Sequence, residues 1–145
     1  MALDKDALAA GMKSISDNPP TSHEGAAGLW RTEIIDYVSA VVPVTALLPT
    51  DEEAFESSLA TAFASEDAVP GMETAFTTLG VAIGTGMAPA FTAVPPAGPV
   101  GWATLFSGTT DDTQEAADNI ATAIDDWMKT GTATPSGGGS PVNWS

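Results

Sequence analysis

The chain has 145 residues, no cysteine, and 19 acidic against 4 basic side chains, for a formal net charge of -15. A surface of that sign repels nucleic-acid phosphates and anionic lipid, which argues against direct DNA wrapping and against a peripheral membrane role. Without cysteine there is no disulfide framework, thiolate metal site or cysteine nucleophile.

Hydrophobic residues make up 43% of the sequence, which fits one folded domain rather than a disordered chain. The N-terminal residues mix charge with apolar side chains and lack the apolar run of a signal peptide, so the protein is expected in the cytosol when made. Acidity also keeps a protein made in many copies soluble until it meets its partner.

The first predicted helix runs from about Asp4 to Ser16, with Leu8, Met12 and Ile15 on one face. Asp4 is its expected cap, and Pro19-Pro20 ends it, because proline supplies no donor and restricts its predecessor. A second helix is expected behind a capping box at Thr21 and Glu24. Trp30, Ile34, Tyr37, Val38 and Val41 form its apolar stripe, and Pro43 closes it. The run from Val44 to Leu48 is too short to classify.

Thr50 and Glu53 form a second capping box, with Asp51, Glu52 and Glu53 in the first turn, where the helix dipole favours negative charge. Phe55, Leu59, Ala62 and Phe63 give that helix its apolar face. Pro70 then fits the first turn of a fourth helix. Met72, Phe76, Leu79, Ile83 and Met87 continue at helical steps, and the other faces are also apolar or small. Such a helix belongs at the centre of the bundle or in an interface.

No Asp, Glu, Lys or Arg occurs between Glu73 and Asp111. Within this stretch, Ala75 to Phe91 has the Gly80-x-x-x-Gly84 spacing that membrane helices use. Its threonines and glycines, the prolines that follow and the lack of a flanking basic cluster favour a buried core helix over a membrane span. Gly80, Gly84 and Gly86 each cost about 1 kcal/mol of helix propensity against alanine. A close helix crossing is the expected compensation. Val94 to Pro99 is expected to be irregular, either buried or clasping the surface, with Trp102, Leu105 and Phe106 docking it back onto the core.

The last predicted helix opens at Asp112-x-x-Glu115 and carries Ile120, Ile124, Trp127 and Met128 on one face. Gly131 is its natural stop. The remaining Thr/Gly/Ser/Pro-rich tail has a flexible composition. Yet it ends in Val142, Asn143 and Trp144, and an aromatic anchor there fits an arm that docks elsewhere.

Chemistry is scarce. His23 is the only histidine, and its place beside a helix start reads as capping or surface. The clusters Asp51-Glu52-Glu53-Glu56 and Asp111-Asp112-Glu115 lack the alternating ligands and central glycine of a calcium loop, and both lie at helix starts. No nucleophile elbow, phosphate loop or dinucleotide fingerprint is present. No catalytic residue, cofactor site or metal site is expected.

Three stretches carry a resemblance: AVPPAGPVGWATLF (Ala93 to Phe106), the helix end Asp126-Trp127-Met128-Lys129-Thr130-Gly131-Thr132-Ala133-Thr134, and the terminal Pro141-Val142-Asn143-Trp144-Ser145. Together they resemble small structural proteins encoded among the virion genes of tailed bacteriophages, near tail and baseplate components. The pair Asp125-Asp126 departs from that helix-end pattern by one inserted acidic residue. The likeness is clearest over the last third of the chain.

The resemblance implies a non-enzymatic virion component, at the tail or baseplate, docking through its C-terminal arm onto other virion proteins or copies of itself. The expected location is the virion, and the host cytoplasm during assembly. Capsid decoration is the nearby variant. A holin-like membrane protein using residues 75–91 and an acidic DNA-mimic inhibitor are readings of a different class. The expected fold is mainly α: a helical domain of about five helices over residues 1–130, with a Pro/Gly-rich irregular segment, and an extended arm over 131–145. Pro141, Val142 and Trp144 are the expected arm anchors, and Pro95, Pro96 and Trp102 a second contact region. The competing reading puts Trp102 in the chain's own core.

Overall fold

Short polar side chains placed just ahead of apolar runs start most of the helices. In the computed structural model, which describes residues 2–145, Asp4 caps α1 (Lys5–Asp17) by accepting from the Ala7 N–H at 3.0 Å. Asp112 caps α6 (Thr113–Met128) the same way, accepting from the Glu115 N–H at 2.8 Å. The Glu115 carboxylate accepts in turn from the Asp111 N–H at 2.8 Å.

The two other expected boxes are displaced. α2 (His23–Val38) is capped by Ser22, whose hydroxyl accepts from the Gly25 N–H at 2.9 Å, and not by Thr21. α3 (Pro49–Ala64) starts before Thr50, with proline in the first turn, where a missing N–H leaves nothing unpaired. Its reciprocal bond comes from Asp51, whose carboxylate accepts from the Leu48 N–H at 3.2 Å. α4 (Val69–Gly86) has Pro70 in its first turn, as expected.

The helices pack in a chain of neighbours, α6 on α1, α1 on α2, α2 on α3 and α3 on α4. The fold is mainly α, as the sequence implies. Among the described residues there are six helices, because Trp102–Ser107 forms a short α5. The predicted stripe of α4 is the centre of the core: Met72, Phe76, Leu79, Ile83 and Met87 are each no more than 2% exposed. Phe55 meets Phe76 edge-on at 5.3 Å between ring centroids. Among the described residues no helix is long and apolar enough to cross a membrane.

The tail departs from the expected extended arm. Phe91–Val94 forms β1, Thr132–Pro135 β2 and Val142–Asn143 β3, in an antiparallel sheet of order β1-β2-β3. Phe91 lies opposite Pro135, Val94 opposite Thr132, and Thr132 opposite Asn143. Thr132–Pro135 is therefore paired with a strand of the body, and Val142–Asn143 joins the sheet through β2. The alternation of Thr132, Ala133 and Thr134 explains the strand: Ala133 is fully buried while the threonines on either side are half-exposed.

The glycines of α4 also serve a different purpose from the one expected. The tight helix crossing is at Gly71, where an added methyl would meet the Ala62 Cβ of α3 at 2.7 Å. Gly80 faces Trp127 of α6 and the proline segment, and Gly84 faces β1, the proline segment and the tail. A methyl on Gly80 would lie 3.1 Å from Trp127 and 3.3 Å from Pro96. One on Gly84 would lie 3.1 Å from Ala93 and 3.6 Å from both Pro95 and Trp144. Trp127 of α6, Ala93 of β1, the proline segment and Trp144 of the tail thus rest on a strip of helix without side chains.

Candidate interaction site

The C-terminal strap, residues 141–145, lies in a slot built from α4, β2, the end of α6 and the loop after α2. Trp144 fills the slot and is fully buried. Its floor is backbone: a methyl added at Gly131 would lie 2.6 Å from the Trp144 ring, so glycine is required at the end of α6 for this approach. The Trp144 N–H donates to the Gly131 carbonyl at 2.9 Å, and the Asn143 amide donates to the Lys129 carbonyl at 2.9 Å. Ser145 and Val42 exchange both backbone bonds, Val42 N–H to Ser145 O at 2.7 Å and Ser145 N–H to Val42 O at 3.0 Å. The strap thereby ties the sheet to the loop that follows α2.

The segment before α5 is held by a carboxylate. Glu73, the last charge before the uncharged stretch, accepts from the backbone N–H groups of Val100, Gly101 and Trp102 at 2.8, 3.0 and 3.0 Å. Three donors converge because Gly101 takes a φ of +104°, open to glycine at little cost. Trp102 then enters the core with its ring 5.8 Å from Trp30, 5.1 Å from Phe76 and 5.6 Å from Phe106. The Trp127 indole N–H finds the Gly98 carbonyl at 3.0 Å. The indole N–H groups of Trp102 and Trp144 are buried with no hydrogen-bond partner among the described residues, an unusual cost in a settled core.

These positions revise the expected contact residues. Trp144, Trp102 and Pro96 are buried inside their own chain, and Pro95 is half-buried against α4. None of these four is free to anchor on a neighbour in this conformation, and Trp102 belongs to the core. Pro141 and Val142 stay exposed, Val142 at 45%. Val94, which the sequence did not single out, is 62% exposed on β1, the opposite edge strand, with β2 between it and Val142. Its signal was weak, because one valine between an alanine and two prolines does not mark a strand.

One buried polar cluster could be taken for chemistry. The Tyr37 hydroxyl donates to Asp125 at 2.8 Å, and Lys129 donates to the other Asp125 oxygen at 2.7 Å. Burial, followed by the bond to Asp125, raises the Tyr37 pKa far above its ordinary value. A phenol so held is a fixed donor that ties α2 to α6. Arg31 is likewise engaged, bridging Glu52 and Glu56 of α3 at 2.7 and 3.2 Å. His23 opens α2 on the surface. A shallow groove of about 750 Å³ separates α5 from α6, lined by Leu105, Phe106, Ile120 and Ala123 with Asn119 and Asp126 at its side. Among the described residues no group of acidic or histidine side chains is arranged to hold a metal ion.

Comparison with known proteins gives no match: no family model, no curated protein and no solved structure is significantly similar to the chain.

Proposed function

We propose that this protein is a non-enzymatic structural component of a bacteriophage virion, built into the tail or baseplate. One observation carries the reading. The three stretches that resemble phage virion proteins meet in one unit, where Ala93 packs on Gly84, Gly131 receives Trp144, and Val142–Asn143 pairs with β2. A likeness spread over three contacting segments is better explained by a shared structural unit than by three chance matches of low-complexity sequence.

The docking surface in this reading is the β3 edge of that unit, around Pro141 and Val142, where exposed apolar side chains adjoin a free sheet edge. Partners are other virion proteins or further copies of the chain, and the acidic surface keeps copies apart until assembly. Mass spectrometry of purified virions tests the proposal. Stoichiometric presence is expected, with a copy number well below that of the major capsid protein. A copy number near that of the capsid protein would indicate capsid decoration. Absence from particles would overturn the reading.

A further inference from the structure

We infer that the C-terminal strap is exchangeable: residues 141–145 can leave their own slot and occupy the same slot in a second copy of this chain. The inference stands on the geometry of the tail and does not require the virion reading.

The strap is a plug on a tether. Between Pro135, which ends β2, and Pro141 lies Ser136-Gly137-Gly138-Gly139-Ser140. Gly137 and Gly138 have nothing within 4 Å of where a side chain would start, and Gly138 and Gly139 take positive φ angles of +92° and +146°. Ser136 is held by its N–H on the Ala90 carbonyl at 3.0 Å and its hydroxyl on the Pro89 carbonyl at 2.6 Å, and the Gly138 N–H closes a turn on the Pro135 carbonyl at 3.0 Å, so the loose part of the tether begins at Gly137. With Ser136 in place and the turn at Gly138 opened, the five steps from Ser136 to Pro141 span about 17 Å when fully extended. A neighbour's slot within that distance can be reached while β2 stays paired with β1.

Every contact that holds the strap is made at the far end of this tether. The attachments are the Trp144 ring on Gly131 and Gly84, the Trp144–Gly131 bond, the Asn143–Lys129 bond, the Val42–Ser145 exchange and the short pairing of β3 with β2. None of these requires slot and strap to belong to one chain, so exchange reproduces them all. This is the condition under which swapping costs little beyond association.

Magnitude decides which form is populated. A short flexible tether presents its own strap to the slot at an effective concentration of about 1 mM. Dilute protein therefore closes on itself, and exchange is favoured where neighbouring copies exceed that concentration, as they do side by side in an assembly.

The absence of cysteine makes a clean test possible. Val42→Cys and Ser145→Cys replace two residues whose backbones face each other as an antiparallel pair, close enough for a disulfide. In the doubly substituted chain, oxidation at low concentration should give an intrachain bond, confirming the pairing in solution. The two singly substituted chains are then mixed at about 1 mM, incubated and oxidised. A disulfide between one Val42→Cys chain and one Ser145→Cys chain is expected, scarce in samples mixed at roughly 100-fold lower concentration. A variant lacking Gly137–Gly139, whose tether no longer closes comfortably, should shift from monomer to dimer at low concentration. If the intrachain bond forms normally but the two singly substituted chains never cross-link to each other at any concentration, the inference is overturned. Failure of the intrachain bond would overturn it as well, because the strap would not lie where the exchange requires.

Discussion

The α1–α3 half and the half formed by α4 with the strap are held by different means. In the first, each element is announced locally: a cap, an apolar stripe, a breaker. Asp4 or Ser22 starts a helix, and Leu8, Met12, Ile34 and Leu59 bury its face. In the second, the sequence around each contact is permissive. Glycines and alanine supply flat backbone, and Trp127, Trp144, Pro95 and Pro96 lie across it. Helix propensity is sacrificed at Gly80 and Gly84 to make room for side chains from distant segments. Stability in the first half is spread over many modest contributions, and in the second it is concentrated in a few large side chains.

That contrast is broken most directly at Trp144. Trp144→Ala removes a fully buried indole from a slot whose glycine floor cannot collapse into the space, and should cost about 3–5 kcal/mol in urea or guanidinium unfolding. Trp144→Phe should lose distinctly less, because it also removes a buried N–H that has no acceptor. A loss under about 1 kcal/mol for the alanine variant would show that the tail is peripheral. Next in size is Glu73→Gln. An amide oxygen cannot replace a carboxylate that serves three N–H donors with two oxygens, so a loss of about 1.5–3 kcal/mol is expected. A change in Trp102 fluorescence should accompany it if the α5 entry loosens.

The same contrast explains what could be seen in the sequence. Asp4, Asp112, Pro70 and the α4 stripe were legible because each obeys a rule spanning a few residues. The displaced starts at Ser22 and Leu48 show the limit of such rules, since neighbouring polar residues compete for one cap. The sheet was hidden for a physical reason: β1 and β2 have four residues each and β3 has two, too short for an alternating pattern to stand out. Trp144 was recognisable as an odd terminal aromatic, but its destination depends on Gly84 and Gly131 being brought together, which is a property of the folded chain. Glu73 read only as the edge of an uncharged stretch, because its partners are backbone donors nearly thirty residues away.

The first half should yield smaller and more local effects. Ser22→Ala removes the oxygen that accepts from the Gly25 N–H and should cost about 1 kcal/mol. Amide exchange should accelerate in the first turn of α2 and leave the strap unchanged. Thr21→Ala should be close to neutral, because the cap lies one residue further on. Equal losses from the two variants would mean that the helix start is shared between them.

The smallest effect separates charge from packing at the α1–α2 contact. Glu33 lies across Gly11, and its pKa is raised first by burial and then by the charge of Asp36; Asp4 borders the same recess. A carboxyl whose folded pKa exceeds its unfolded value binds protons more readily in the native state. Its ionisation therefore lowers stability as pH rises from about the ordinary value of 4.5 through the higher folded value, and the penalty is constant above that. Glu33→Gln, which removes the charge while nearly keeping the shape, should be more stable than the parent at pH 7 by no more than about 0.5 kcal/mol. The advantage should vanish as the pH falls below 4.5, where the parent's carboxyl is protonated in both states. Urea midpoints for both proteins between about pH 4 and 8 would reveal it as two curves that meet at the acid end. Curves that run parallel instead would assign the difference to packing against Gly11, and the recess would then belong with the shape-built half of the molecule.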